Sequence, residues 1–380
     1  MKLFSKKKPD GAAVQTAPTA AVSHPFSELY GYVPLRRGEL SLYRSLREAV
    51  PVIDAAISKI VRLIGRFDVT VDNAQAQSSL RSFLRTVKVG PSGVGIYTFL
   101  SAYFDQLLTF GTAAGEMVCD DSGRILALYN AALEDIELCE GDSPLELIVC
   151  VPSSGTAVAV PHQERVLVSL LNPTPGRLEG NSILSGLPFV SSILLKMFHT
   201  MGVNFERVGN VRFAVTYRPS AGASGVNAKL RAEEIAREWT RAMRDSHHVS
   251  DFISVGDVSI KAIGADNQIL DYDVPVRHIL EQIVSKLSIP PFLLGFSWSS
   301  TERMSSQQAD ILTSELEHYR ILLEPVIARI CRTYLLTNGY SDTIDIVWEN
   351  ISLQDETELA HARLENARAA QLEQQTEVKE

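Results

Sequence analysis

Cysteine is scarce and scattered. The four cysteines, Cys119, Cys139, Cys150 and Cys331, form no CxxC pair and have no histidine at zinc-ligand spacing. That argues against a disulfide framework or a zinc module, and free thiols of a reducing compartment are expected. Positive charge is short as well: 36 Lys and Arg stand against 45 Asp and Glu, a formal net charge of −9. A tight, sequence-independent nucleic-acid binder draws its affinity from cations on phosphates, so this balance disfavours one. It leaves room for a surface along which DNA slides without being held. Long apolar runs are missing too. The most apolar stretch, Ile183 to Phe205, is interrupted by Pro188, Lys196, His199 and several serines, a poor membrane span and a good buried helix. The first residues, MKLFSKKKPDG, have a basic start with no apolar segment behind it, so no signal peptide is read there.

Recognisable catalytic chemistry is equally thin. There is no GxxxxGK[ST], and Gly90-Pro-Ser-Gly-Val-Gly95 has its glycines in the wrong order for a dinucleotide turn. No GxSxG elbow occurs, and Gly180-Asn-Ser182 reads as a helix cap. Adjacent His247 and His248 would point to opposite faces of a strand and read as a solvated pair. Asp120-Asp121, Asp271 and Asp273 sit in turns, where carboxylates are ordinary. An enzyme would have to use His278 or the Asp271/Asp273 pair without a nucleophile–base constellation. No catalytic residue, cofactor or metal is therefore expected.

What is present is a globular chain, 45% hydrophobic and 21% charged, whose 380 residues suffice for two or three compact units. Residues 1–25, rich in Lys, Ala, Thr, Pro and Ser, read as a disordered basic arm. From Leu46, the positions Val50, Ile53, Ile57, Ile60 and Ile64 make one helical stripe closed by Gly65. Phe67–Val71 alternates like a strand, and Tyr97–Phe110 fits a helix ended by Gly111. A hairpin follows, 115–119 and 124–129 around Asp120-Asp-Ser-Gly123, then short strands through 136–138, 145–151, 157–160 and 166–171. This part is α+β, helices first and a small sheet after.

The character changes at Gly180. Ile183, Leu187, Val190, Leu194, Met197, Met201 and Phe205 recur at helical spacing, while Phe189, Ile193, Leu195 and Phe198 fill other faces. A helix from Ser182 to Val208, roughly 40 Å long, would need burial on most sides, and neighbouring copies of the chain could supply it. Residues 209–264 form a small insertion with eight basic and six acidic residues, net +2. It holds strand 211–217, a helix from Ala228 to Arg244 capped by Asn227, and strands 252–255 and 258–263. Val276, Leu280, Ile283 and Leu287 then stripe a second helix, which Pro290-Pro291 stops. The polar loop Phe296-Ser-Trp-Ser-Ser-Thr-Glu-Arg303 leads to a long helix striped by Leu312, Leu316, Tyr319, Leu323, Val326 and Ile330, with Pro325 placed to kink it. After a strand at 345–348, residues 341–380 carry ten acids and three bases, net −7.

This order resembles the portal proteins of tailed bacteriophages. The strings that carry the likeness are Pro51-Val-Ile-Asp-Ala-Ala-Ile57, Gly111-Thr-Ala-Ala-Gly-Glu-Met117 with its hairpin, Gly180-Asn-Ser-Ile-Leu184, Ile289-Pro-Pro-Phe-Leu-Leu-Gly295 and Leu323-Glu-Pro325, over roughly residues 30–340. The resemblance implies a multidomain α+β portal fold and a ring oligomer. Its parts would be a wing (26–180), stem helix 1 (181–208), a clip (209–264), stem helix 2 (265–291), a tunnel loop (292–303), a long wing helix (304–340) and an acidic crown or tail (341–380). It further implies about twelve copies around a channel for double-stranded DNA, passed without sequence specificity. The implied partners are the terminase large subunit, the major capsid or scaffold protein and the head–tail connector, with no membrane. The place would be the portal vertex of a virion assembled in host cytoplasm.

On that map Phe296, Ser297, Trp298, Ser299, Ser300, Thr301, Glu302 and Arg303 are expected at the channel constriction, and Lys286 at the stem channel. Lys229, Arg231, Arg237, Arg241 and Arg244 would face a clip partner, and Pro290, Pro291 and Gly295 would turn the chain towards the axis. Against it stands another multimeric capsid-assembly or adaptor protein with the same apolar rod and no DNA channel.

Overall fold

The computed structural model describes residues 36–351, apart from 144–145, 154–155, 210–211, 218–228, 231, 238–239, 241–257, 264–271, 297, 299–301 and 342. The basic arm, strand 252–255, the paired histidines, Asp271 and the acidic tail from 352 onward lie outside the described residues.

The first helical stripe proves to be two helices, α1 (Arg36–Ala49) and α2 (Pro51–Leu63). The expectation of one helix fails at Pro51, which has no N–H to donate and is instead well placed at the first turn of α2. Ile53, Ala56, Ile57 and Ile60 face inward as their spacing requires. Gly65, at φ +83°, ends the pair, and a Cβ there would come within 2.7 Å of Arg320 Nη2.

Strand β1 (Phe67–Val71) forms as its alternation predicts, and pairs antiparallel with β12 (Ile344–Trp348) from the far end of the chain. Helix α3 (Ala74–Thr86) was not anticipated. Its signals are present: Asn73 caps it by accepting from Gln75 N (2.9 Å) and Ala76 N (3.1 Å), and Ala76, Leu80, Phe83 and Leu84 are buried. The loop at 90–95 is the turn of a tiny hairpin, β2 (Lys88–Val89) and β3 (Gly93–Val94).

Helix α4 (Ile96–Phe110) is the centre of the core, with Phe99, Tyr103, Phe104, Leu107 and Leu108 buried. It lies on a five-stranded sheet of order β3-β2-β5-β4-β9, where β4 is Thr112–Cys119, β5 Ile125–Asn130 and β9 Val166–Leu170. Within this sheet only β2–β5 is parallel; β4 and β5 form the hairpin that the DDSG turn predicted, with Met117 opposite Leu128. A separate sheet holds β6 (Glu137–Glu140), β7 (Leu147–Ser153) and β8 (Thr156–Ala159).

Gly111, at φ +77°, ends α4 where the returning chain crosses it; a Cβ there would lie 2.5 Å from Ser182 N. Ser182 therefore does not cap the rod helix. Its Oγ donates to Thr109 O (2.6 Å) and accepts from Leu184 N (2.9 Å), fixing a turn. The rod is α5 (Leu187–Gly209), 23 residues or ~35 Å, shorter than expected at its start. Its burial also differs. Leu187, Ser191 and Leu194 are covered within the subunit, whereas Leu195, Phe198 and Phe205 are 40%, 45% and 54% exposed.

Beyond α5, β10 (Arg212–Tyr217) pairs antiparallel with β11 (Val258–Ile263), and residues 229–230, 232–237 and 240 between them are helical. Helix α6 (Asp273–Lys286) packs on α5, and α7 (Glu302–Thr337) runs 36 residues, continuing through Pro325. Along α7, Leu312, Leu316, Leu323, Ile327 and Ile330 close the core, and Tyr319 meets Phe104 at 5.3 Å between ring centres. Arg320 ties the layers. Its Nε and Nη2 donate to Ile64 O at 2.9 and 2.8 Å, and its guanidinium sits 4.9 Å from the Trp348 ring centre. That guanidinium neutralises the orphan carbonyl end of α2.

Candidate channel surface

The candidate site is built where α6 ends. Leu287 N still reaches Ile283 O (3.1 Å), but Ser288 adopts φ +52° and the two prolines that follow cannot extend the ladder. Pro291–Leu294 makes one 3-10 turn, Gly295 takes φ +81°, and Phe296 N closes back on Pro291 O at 3.1 Å. Pro290, Pro291 and Gly295 all lie in this turn. A positive φ at Gly295 costs nothing there, which a side chain would make expensive.

The loop residues separate into two groups. Phe296 and Trp298 do not stand free: both are half-buried against the core, stacked with ring centres 4.5 Å apart and planes 14° from parallel. The Arg277 guanidinium lies 5.9 Å from the Trp298 ring centre, and its Nε donates to Glu281 Oε1 at 2.9 Å. His278 Nδ1 stands 3.3 Å from the other Glu281 oxygen, and the bond from Arg277 holds the Glu281 carboxyl below its ordinary range. Arg277 and Phe296 thus both pack on the Trp298 ring. Arg303 is exposed in the first turn of α7, and Glu302 opens that helix. Ser297, Ser299, Ser300 and Thr301 lie outside the described residues.

Lys286 is exposed in the last turn of α6, and Lys229 and Arg237 are exposed on the helical segment between β10 and β11. Arg231, Arg241 and Arg244 lie outside the described residues. Among the described residues, no group of three or more His, Cys, Asp or Glu could hold a metal ion, and no helix is long and apolar enough to cross a membrane.

Two features were missed by reading the sequence. One is a groove of about 410 Å³ at the foot of α6 and α7, walled by Ser285, Pro290, Phe292, Trp298, Met304 and Ile311. The other is the open stripe of α5, where Leu195, Phe198, Gly202 and Phe205 follow one another at three–four–three spacing. The spacing was legible, but its outward direction was not.

No protein-family model matches the chain, and no curated protein matches it by sequence. Solved structures do match. A chain in the virion of a native gene transfer agent particle is 15% identical with TM-score 0.61, over 91% of this chain and 94% of that one. One in the neck of the native particle, computed with C12 symmetry, is 14% identical with TM-score 0.63, over 86% and 88%. One in the neck of the empty particle, computed with C6 symmetry, is 16% identical with TM-score 0.61, over 87% and 90%. The chain shares its fold with these gene transfer agent particle chains. A portal protein of the HK97 phage family from Corynebacterium diphtheriae also matches, at 15% identity and TM-score 0.41 over 80% and 95%. That score is too low to carry an argument.

Proposed function

We propose that this chain is a portal subunit, about twelve copies of which close into a ring around a channel for double-stranded DNA at one capsid vertex. The observation that carries the reading is the likeness in fold to chains of the gene transfer agent virion and neck, which spans about nine-tenths of this chain. The open apolar stripe of α5 supports it, because a heterologous contact repeated by rotation covers such a stripe in every copy.

In this reading residues 26–180 are the wing against the capsid, and 181–208 with 265–291 the stem. The segment 209–264 is the clip, meeting the terminase motor during packaging and the head–tail connector afterwards. The loop 292–303 narrows the channel, 304–340 is the long wing helix and 341–380 the crown. With Phe296 and Trp298 stacked aside, the DNA-facing part of the loop reduces to Ser297, Ser299, Ser300, Thr301, Glu302 and Arg303. Hydroxyls and one opposed charge pair offer phosphates little to hold. A net charge of −9 likewise favours passage over gripping, because each cation on a phosphate would bind through counterion release.

Native mass spectrometry of the full chain, with negative-stain images of the same sample, tests the proposal. Rings of about a dozen subunits with an open axial bore are expected. Monomers at every concentration, or closed discs without a bore, would overturn it.

A further inference from the structure

The ring reading leaves open which surfaces meet. Resting on that reading, we infer that the open stripe of α5 in one copy seats in the groove at the foot of α6 and α7 of the next copy.

The stripe is a coherent surface. At 3.6 residues per turn, Leu195, Phe198, Gly202 and Phe205 fall within about 80° of helix circumference. Gly202 is its most telling member. It lies inside a helix, where glycine is unfavourable, and a Cβ there would meet no described residue of its own subunit within 4 Å. Among the described residues nothing requires a glycine at this point. A neighbour's close approach to the α5 backbone would.

The groove is its counterpart in chemistry. Phe292, Trp298, Met304 and Ile311 give it apolar walls, Met304 is 48% and Ile311 62% exposed, and 410 Å³ holds a phenylalanine side chain with a leucine beside it. The floor beside Trp298 is already ordered by the stack with Phe296 and Arg277, so seating costs little rearrangement there.

Height decides which parts can meet, because rotation about an axis along the stem keeps every atom at its own level. Asn204 Nδ2 donates to the Tyr272 hydroxyl, pinning the far end of α5 to the start of α6. Because α6 packs on α5 and starts beside the end of α5, the two helices run antiparallel from that point. At ~1.5 Å per residue on each, Phe198 stands about level with His278, and Leu195 about level with Glu281. The α6 wall of the groove runs from Arg277 to Ser285, the level of Leu195 and Phe198, while Gly202 and Phe205 meet the neighbour beside the groove's upper end.

Side decides whether they meet within one copy or between two. Asn204, which touches α6, lies about 140° round α5 from the middle of the stripe. On α6, the groove wall of Arg277, Glu281 and Ser285 lies about 130° from the inward row of Val276, Leu280, Ile283 and Leu287. Stripe and groove thus face away from each other across one stem, at one height. Two different complementary surfaces so placed make a head-to-tail contact, which a rotation can close.

Cross-linking of full-length chains assembled into rings tests this. Phe198→Cys and Met304→Cys are made singly and together, treated with a short bismaleimide, and compared with wild type, which keeps its four native cysteines. The expected result is a ladder of covalent oligomers up to ring size in the double variant, with no ladder in either single variant. Dimers from Phe198→Cys alone would mean that stripe meets stripe, and would overturn the inference. Wild-type rings with no ladder in the double variant would overturn it while leaving the portal reading standing. Absence of wild-type rings would sink both.

Discussion

Replacing Gly202 with alanine should make the subunit more stable and the ring weaker. The added methyl enters open space in the isolated subunit, since among the described residues no atom lies within 4 Å of the ideal Cβ position. Removing glycine from a helix interior then favours folding by about 0.5–1 kcal/mol. At a contact between copies the same methyl is an intrusion. Overpacking a close-fitted surface costs typically about 1–3 kcal/mol, and every ~1.4 kcal/mol is tenfold in affinity. Each subunit-to-subunit contact should therefore weaken by roughly tenfold to a hundredfold, against a subunit that unfolds at higher urea. The two effects are read separately: urea unfolding at concentrations where wild type and variant are both monomeric, and sedimentation or native mass spectrometry across a dilution series. Unchanged ring assembly with the folding gain would remove Gly202 from any contact. A less stable subunit would show that the glycine serves its own fold, and that the open space around it has been misjudged.

Leu194 and Phe198 divide the two burials of α5. Leu194→Asp places a charge where the subunit is closed, 1% exposed, and should cost the fold several kcal/mol in urea unfolding, whereas Phe198→Asp should leave unfolding near wild type and abolish rings. Arg320→Gln removes a guanidinium bonded twice to Ile64 O and stacked on Trp348; a loss of about 2–3 kcal/mol is expected, and a loss below ~0.5 kcal/mol would refute its role as a tie between α2, α7 and β12. Burial pushes Cys331 up to about 12, and burial with the neighbouring Cys139 thiol pushes Cys150 up to about 11. These groups bind protons more tightly folded than unfolded, so their contribution is complete below the unfolded thiol value and is lost as pH rises towards 11–12. The urea midpoint should fall between pH 8 and pH 10, and less so in Cys331→Val.

Much of the fold could be read from the sequence because its elements carry local signals. The alternation at Phe67–Val71, the DDSG hairpin, the stripe of α7 and the Pro290-Pro291 stop each appear where the residue pattern placed them. The failures share one cause, which is that pattern reports periodicity and not neighbours. Leu46 to Ile64 kept a single helical phase across Pro51, so one stripe concealed two helices. Leu194 and Leu195 are equally apolar in sequence, yet one faces the subunit interior and the other faces out. Trp298 read as a loop residue by its serine neighbours; the stack with Phe296 and Arg277 depends on a helix twenty residues upstream. Strands β1 and β12 were both found, but their pairing spans most of the chain and leaves no local trace.

The same residues bound how the ring can form. Burying a large apolar side chain completely is worth about 1.5–3 kcal/mol, and Leu195, Phe198 and Phe205 are already about half covered. Their burial contributes roughly 3 kcal/mol per contact, less than the ~4–15 kcal/mol that association costs in lost freedom. The stem contact alone is too weak to hold a dimer, and the wing and clip must add to it. Closure changes the balance, because the last subunit makes two contacts for one loss of freedom. Rings with few dimers or trimers beside them are the consequence, and a population of stable dimers at micromolar concentration would mean that a stronger contact lies elsewhere.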